Sequence, residues 1–136
     1  MTSGYSGTPL AKKLGIKERS AVMTVNAPDV YSELLAPVPD GVNISDTVRT
    51  DVDLVHIFTN GRDELFQKLA ECRWLIKQDG AIWVSWYKQA AKLPTEITED
   101  TVREAAFPLG LVDVKVCAVD ERWSGLKLVI RKENRV

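Results

Sequence analysis

Histidine is almost missing from this chain: His56 is the only one. One histidine cannot pair with a second, so a histidine-built metal site is excluded and no metal is expected. Ser-His-Asp chemistry survives the count, but no G-x-S-x-G elbow presents a serine. Walker and dinucleotide glycine fingerprints are also missing. Two cysteines, Cys72 and Cys117, are too few for a disulfide framework or a zinc site. Each falls in an apolar-patterned element and reads as a small buried thiol. No apolar run approaches the ~18 residues of a membrane span. Met1 to Tyr5 has neither a charged nor an apolar segment and is not a secretory signal, which makes the cytoplasm the expected location. Excess charge is lacking as well. With 18 basic and 19 acidic residues the net charge is −1. No long-range field draws the chain to nucleic acid or to an anionic membrane, and neither is an expected partner.

What is there fits one ordinary domain. A chain of 136 residues can build a real core without staples. Its 45% hydrophobic and 27% charged residues belong to a folding sequence. Residues 1–7, rich in Gly, Ser and Thr, read as a flexible arm, and 8–136 as a single domain.

The clearest stretch is Val52 to Trp86. An apolar strand, Val52 to Phe58, runs into a helix opening near Gly61, and a second apolar strand follows from Ala81 to Trp86. Leu65, Leu69, Cys72 and Ile76 fall on one helical stripe, widened by Phe66 and Ala70. Lys77 sits in the last turn and Gly80 just past the end. Asn60 is placed to cap this helix, with Asp63 and Glu64 in its first turn. About sixteen residues of helix would span ~24 Å, enough to run back along a sheet.

Around this unit the chain repeats the same winding. Thr8, Pro9 and Gly15 punctuate a short helix as N-cap, N1 and C′, with Lys12 and Lys13 in its last turn. Ala21 to Asn26 reads as the first strand. Asp29 is placed to cap a helix from Val30 to Leu35, and Val42 to Ser45 reads as a short strand. Thr98 caps a helix with an Ile97–Val102 staple; Val102, Ala105, Ala106 and Leu109 form its buried face, and Pro108 ends it. Two strands close the chain. In Leu111 to Val119, alternation puts Val112, Val114, Val116 and Ala118 on one face. Asp120 to Gly125 reads as a turn, and Leu126 to Arg131 as the last strand.

Alternating strands and helices with continuous apolar strands predict a parallel sheet covered on both faces. The fold expected is three-layer, Rossmann-like α/β: a mostly parallel sheet of about six strands ending in an antiparallel hairpin. Ligands in such folds bind beyond the carboxyl ends of the strands, where the winding reverses. Asn26, Asp29, Asp46, Asn60, Ser85, Trp86 and Lys88 all fall on that rim. Ser85-Trp86-Tyr87-Lys88 is the most suggestive cluster, combining a hydroxyl, two aromatic faces and a cation. Whether Lys12, Lys13 and Lys88 form one basic patch is left open by the sequence. His56, inside the most apolar strand, reads as a core histidine bonded to a neighbouring carbonyl. Trp123, in the closing turn, either covers the sheet edge or meets a partner chain.

The unit Asp53 to Trp86, with its turn Lys77-Gln78-Asp79-Gly80-Ala81 and the closing hairpin, resembles the core of class I S-adenosylmethionine-dependent methyltransferases cut to minimal size. That likeness implies a glycine-rich G-x-G-x-G loop after the first strand and an acidic ribose-binding residue after the second. Asn26-Ala27-Pro28-Asp29 stands where the glycines would be, and Asp46 where the acid would be. The family's catalytic Asn/Asp-Pro-Pro-Tyr motif is replaced by Thr59-Asn60-Gly61-Arg62. The whole chain also resembles a bacterial family of unknown function, through Ser3 to Ile16, Trp83-Val84-Ser85-Trp86, Val112 to Asp120 and Trp123 to Lys127.

Without the glycine loop no cofactor is expected. The first expectation is a non-catalytic module that binds a protein or a small molecule. The second is a small-molecule or anion binder, or an enzyme, working at the rim. The third is an active methyltransferase with an atypical cofactor site. Oligomeric state is not read from the sequence.

Overall fold

A computed structural model describes residues 9–136. The arm expected over 1–7 and the cap expected at Thr8 lie outside those residues. The elements are α1 (Leu10–Leu14), β1 (Ala21–Val25), α2 (Tyr31–Leu35), β2 (Asn43–Ser45), β3 (Val52–Phe58), α3 (Arg62–Cys72), β4 (Ile76–Tyr87), α4 (Glu99–Ala106), β5 (Leu111–Ala118) and β6 (Trp123–Ile130). Six strands form one sheet in the order β2-β1-β3-β4-β6-β5. The first four run parallel, and β6 runs antiparallel to both of its neighbours, β4 and β5, so it is the one reversed strand of the sheet. From β1 the chain first winds outward to β2, then crosses back to β3. The expected three-layer, mostly parallel architecture with a closing hairpin is therefore what forms.

The sheet has a core on each face. On one, Leu65, Leu69 and Cys72 of α3 and Val102, Ala105 and Ala106 of α4 close over Val55, Ile57, Ile82, Val84, Leu126 and Leu128. On the other, Leu10, Ala11 and Leu14 of α1 and Tyr31 and Leu35 of α2 close over Val22, Leu54, Phe58 and Trp83. Strands buried on both faces cannot alternate with polar residues, which is why β3 and β4 read as continuous apolar runs.

The crossover from β2 to β3 is unusual. Parallel strands normally need a dozen or more residues between them. Here six suffice, 46–51, because β2 has three residues and its end, Ser45, pairs with Met23 midway along β1. Six extended residues reach ~20 Å, enough to cross one strand and return to the start of β3.

Several local expectations are corrected. The helix after Gly61 ends at Cys72, eleven residues long. Ile76 opens β4 and pairs with Val52, so it is buried as a strand residue; Ala70 is exposed. Between Val52 and Leu54 on β3, β4 carries the extra residues of a bulge up to Ala81. Gly80 serves that bulge, since an added Cβ would lie 3.1 Å from the carbonyl oxygens of both Asp53 and Lys77. Lys77 pairs with Asp53 at 2.9 Å instead of serving a helix end.

Neither Asn60 nor Asp29 caps a helix, and Pro9 stands at the N-cap of α1 in place of N1. Thr98 does cap α4, in a capping box closed by Thr101, and Gly15 ends α1 at φ 85°. The helix expected to reach Leu109 gives way at Phe107–Leu109 to a 3-10 turn around Pro108. Leu109 is half-buried there.

β6 starts at Trp123, three residues earlier than expected, and pairs with Tyr87. In β5 a register shift between Asp113 and Lys115 leaves Val114 as the extra residue. The bulge reverses the alternation, so Val112 and Val116 face opposite sides of the sheet, and Val114 and Val116 are more than half exposed.

Candidate functional site

The expected rim residues separate into clefts at the β1 and β4 tips with a sealed interior between them, and Asn26 and Asp46 also line a further space of ≈ 490 Å³ with Lys68. The first cleft lies at the tips of β1 and β2. Asn26 leaves β1 in the left-handed conformation, φ 59°, which asparagine tolerates better than most residues. Pro28 follows and lacks an N–H. Asn26, Asp29 and Asp46 meet around a space of ≈ 560 Å³ with Ser32 and Ser45. The lining contains two carboxylates and no basic group, so it suits a hydroxyl-bearing or cationic ligand and repels an anion.

The second cleft lies at the tip of β4. It encloses ≈ 610 Å³. Its floor is apolar: Trp86 and Val116, with Ile97 and Leu93 from the segment that follows β4. Lys88, Thr95, Thr98, Glu99 and Ser124 supply the polar rim. The wall is held at both ends. Lys88 N–H donates to the Arg122 carbonyl at 2.9 Å, extending the β4–β6 pairing by one residue. At the other end Glu96 N–H donates to the Asn60 carbonyl at 2.9 Å, and Thr98 caps α4.

Between the clefts the tip of β3 is closed by the protein itself. Asn60 Oδ1 accepts the Tyr87 N–H at 2.8 Å. The Glu96 carboxylate accepts the Arg62 N–H at 2.7 Å, at the N-terminus of α3. A helix N-terminus attracts anions through its free N–H groups and its dipole, and here the exposed Glu96 carboxylate of the same chain fills that role. Thr59 donates to Glu64 Oε1 at 2.6 Å, completing the plug.

Ser85 lies behind this rim and is fully buried. Its hydroxyl is 2.7 Å from His56 Nε2, while Tyr31 Oη is 2.8 Å from His56 Nδ1. His56 therefore bonds two hydroxyls, not the carbonyl expected. One ring nitrogen donates and the other accepts in the neutral ring. Burial holds the pKa of His56 down at about 3 and pushes that of Tyr31 well above its ordinary value. Trp123 sits on β6, half-buried, with its ring edge-on to Phe58 at 4.9 Å and 4.5 Å from Tyr87. Lys88 lines the cleft at the end of β4, whereas Gly15, at the end of α1, lines a different cleft with Asp79 and Ala81 of the same strand.

Composition and spacing pointed to Trp86 and Lys88 but not to the residues that complete their cleft. Val116 escaped because the bulge at Val114 turns it to this face. Leu93 escaped because it stands alone between lysine and proline, and Ile97 because it reads only as the staple partner of Val102. Glu96 carries no local signal: its partner, Arg62, is 34 residues away.

The fold and the placement of the clefts define a Rossmann-like, methyltransferase-like domain. By sequence, residues 11–132 match the profile of DUF3052, described as a protein of unknown function, and the chain belongs to that family. No curated protein matches it significantly.

Solved structures share its fold at low identity. An S-adenosylmethionine-dependent methyltransferase from Aquifex aeolicus superposes with a TM-score of 0.66 at 14% identity, over 89% of this chain and 88% of that one. A possible exported protein from Bordetella parapertussis gives 0.65 at 12% identity; it covers 90% of this chain, which spans 66% of its length. The fibrillarin pre-rRNA processing protein of Methanococcus jannaschii gives 0.60 at 12% identity, over 90% of this chain and 73% of that one.

Proposed function

We propose that this chain is a binding module that does not transfer methyl groups, and that the cleft at the tip of β4 holds its ligand. The observation that carries this reading is the plug at the tip of β3, where Glu96 occupies the α3 N-terminus and Asn60 binds Tyr87. The residues at the β1 tip do not fit S-adenosylmethionine in the manner of the glycine-loop enzymes. Pro28 removes a donor, and side chains stand where glycines would let a ligand approach the backbone.

The β4 cleft has the composition of a small-molecule site, an apolar floor with a few convergent polar groups, and its volume lies in the usual range. Trp86, Ile97 and Val116 suit an apolar or planar body, and Lys88 an anionic group on it. A small molecule is favoured over a protein partner because Trp123 is committed to Phe58 and Tyr87. The cytoplasm is the proposed compartment, supported by two free cysteines and, among the described residues, by the lack of any helix long and apolar enough to cross a membrane.

Two titrations test the reading. Calorimetry with S-adenosylmethionine and its demethylated product is expected to give no heat. The planar sulfonate anilinonaphthalenesulfonate is expected to fluoresce in the cleft, and to lose that signal in both Val116→Asp and Lys88→Ala. A micromolar heat with S-adenosylmethionine that disappears in Asp46→Ala would overturn the proposal in favour of an atypical methyltransferase.

A further inference from the structure

At the other pole of the sheet, α1 ends above the lower halves of β3, β4 and β6. Lys127 points from β6 into this α1-facing side, beside Trp83 on β4 and Lys115 on β5. Three other polar side chains of that row have partners. His56 is held by Tyr31 and Ser85, the Trp83 indole N–H donates to the Leu14 carbonyl at 3.0 Å, and Lys115 Nζ donates to the Lys13 carbonyl at 3.3 Å. Lys127 makes no hydrogen bond and no ion pair among the described residues. Burial, then Lys115 and Lys17, hold its pKa below the ordinary lysine value. Its ammonium lies over Gly15, where an added Cβ would stand 3.6 Å from Nζ.

A cleft of ≈ 270 Å³ opens beside it, lined also by Lys17 and Ser20. Ser20 is 8% exposed. Its Oγ accepts the Lys17 N–H at 3.0 Å, and its own hydrogen finds no acceptor among the described residues. Two cations and a buried donor thus share a cleft, and among the described residues neither lysine is joined to a carboxylate in an ion pair. Two carboxylates line the same cleft. Asp53 is already engaged by Lys77 at 2.9 Å and by the Ala21 N–H at 2.8 Å. Asp79, exposed, makes no side-chain hydrogen bond among the described residues.

We infer that this cleft is a second binding site, for a small phosphate monoester carrying a hydroxyl or an ammonium at its other end. The phosphate takes charge-assisted bonds from Lys17 and Lys127 and the free hydrogen of Ser20. The donor at the other end reaches Asp79. Nucleic acid is too large, since the space falls just below the ~300 Å³ at which ordinary ligand pockets begin. The site lies away from the strand carboxyl ends and stands independently of the function proposed for the β4 cleft.

Calorimetry and phosphorus NMR on the full chain test it, with inorganic phosphate and phosphoethanolamine as probes. Both are expected to bind, phosphoethanolamine more tightly, with Asp79→Asn abolishing the difference. Lys127→Met, which keeps the apolar stem, and Lys17→Ala are each expected to weaken both by roughly tenfold. Lys17 is exposed, so its variant reads the site even if the β6 variant folds poorly. Lys88→Met is expected to change nothing. Absence of binding at millimolar ligand, binding indifferent to Lys17 and Lys127, or loss in Lys88→Met would overturn the inference. So would capture by vesicles containing phosphatidic acid without binding of the free ester, since a surface patch then explains the lysines.

Discussion

Tyr31 Oη and His56 Nδ1 lie 2.8 Å apart in the interior, joining the first turn of α2 to the middle of the central strand β3. The opposite ring nitrogen meets Ser85 on β4, so one imidazole ties a helix to two strands. With all three side chains buried and the β3 tip plugged, this arrangement acts as a structural tie.

That tie makes stability depend on pH. The pKa of His56 falls to about 3 in the folded chain, against 6.5 when exposed. The unfolded state therefore binds the proton first, and stability is complete above pH 6.5 and lost as pH falls toward about 3. The expected slope is at most ~1.4 kcal/mol per pH unit over that window. Urea denaturation across pH measures it, and His56→Gln should flatten this contribution. An unchanged slope in that variant would show that carboxylates alone set the acid limit.

Trp83 is expected to hold α1 in place. Its indole N–H is the bond that reaches the Leu14 carbonyl across the α1-side core. Trp83→Phe keeps much of the apolar area, removes the donor, and should cost about 1–3 kcal/mol. Hydrogen exchange should rise first at Leu14 and Ile16, ahead of β3. Uniform acceleration throughout the chain would argue that the ring volume, and not the bond, matters.

Glu96 is expected to pin the wall of the β4 cleft. Glu96→Gln keeps the shape but weakens the charged contact with the α3 N-terminus, for about 0.5–1 kcal/mol. Protection at Arg62 and Ile97 should fall together, and the sulfonate probe should bind more weakly. Normal protection at Arg62 would disprove the pinning role.

The thiols should differ in accessibility. Burial pushes the Cys72 pKa up to about 11, and Cys117, half-buried, is also raised by burial. A disulfide reagent at neutral pH is expected to modify Cys117 slowly and Cys72 only in denaturant. Fast reaction of Cys72 in the native state would mean that α3 opens locally.

Where sequence reasoning worked, the signal was local. Thr98 with its staple and the left-handed Gly15 depend on groups within one turn, so their residue types suffice. It faltered where neighbours in sequence were neutral. Ile76 fits a helical stripe as well as a strand, and only its pairing with Val52 decides between them. Asn60 is an acceptable cap, yet the Tyr87 N–H across the sheet claims its side chain. The bulge at Val114 is invisible in an alternating sequence, because alternation looks the same whether or not one residue is unpaired.

The same division holds for the candidate sites. By itself the sequence determined the parallel winding, the closing hairpin, the missing glycine loop and the Trp86–Lys88 strand end, because continuous apolar runs, turn residues and absent motifs require no partner to be seen. Only the tertiary structure decided that the rim splits into separate clefts, that Ser85 is sealed behind His56, and that Lys127 shares a cleft with Lys17 while joined to neither carboxylate there. Those facts rest on contacts between residues tens of positions apart, which strand register and helix docking bring together.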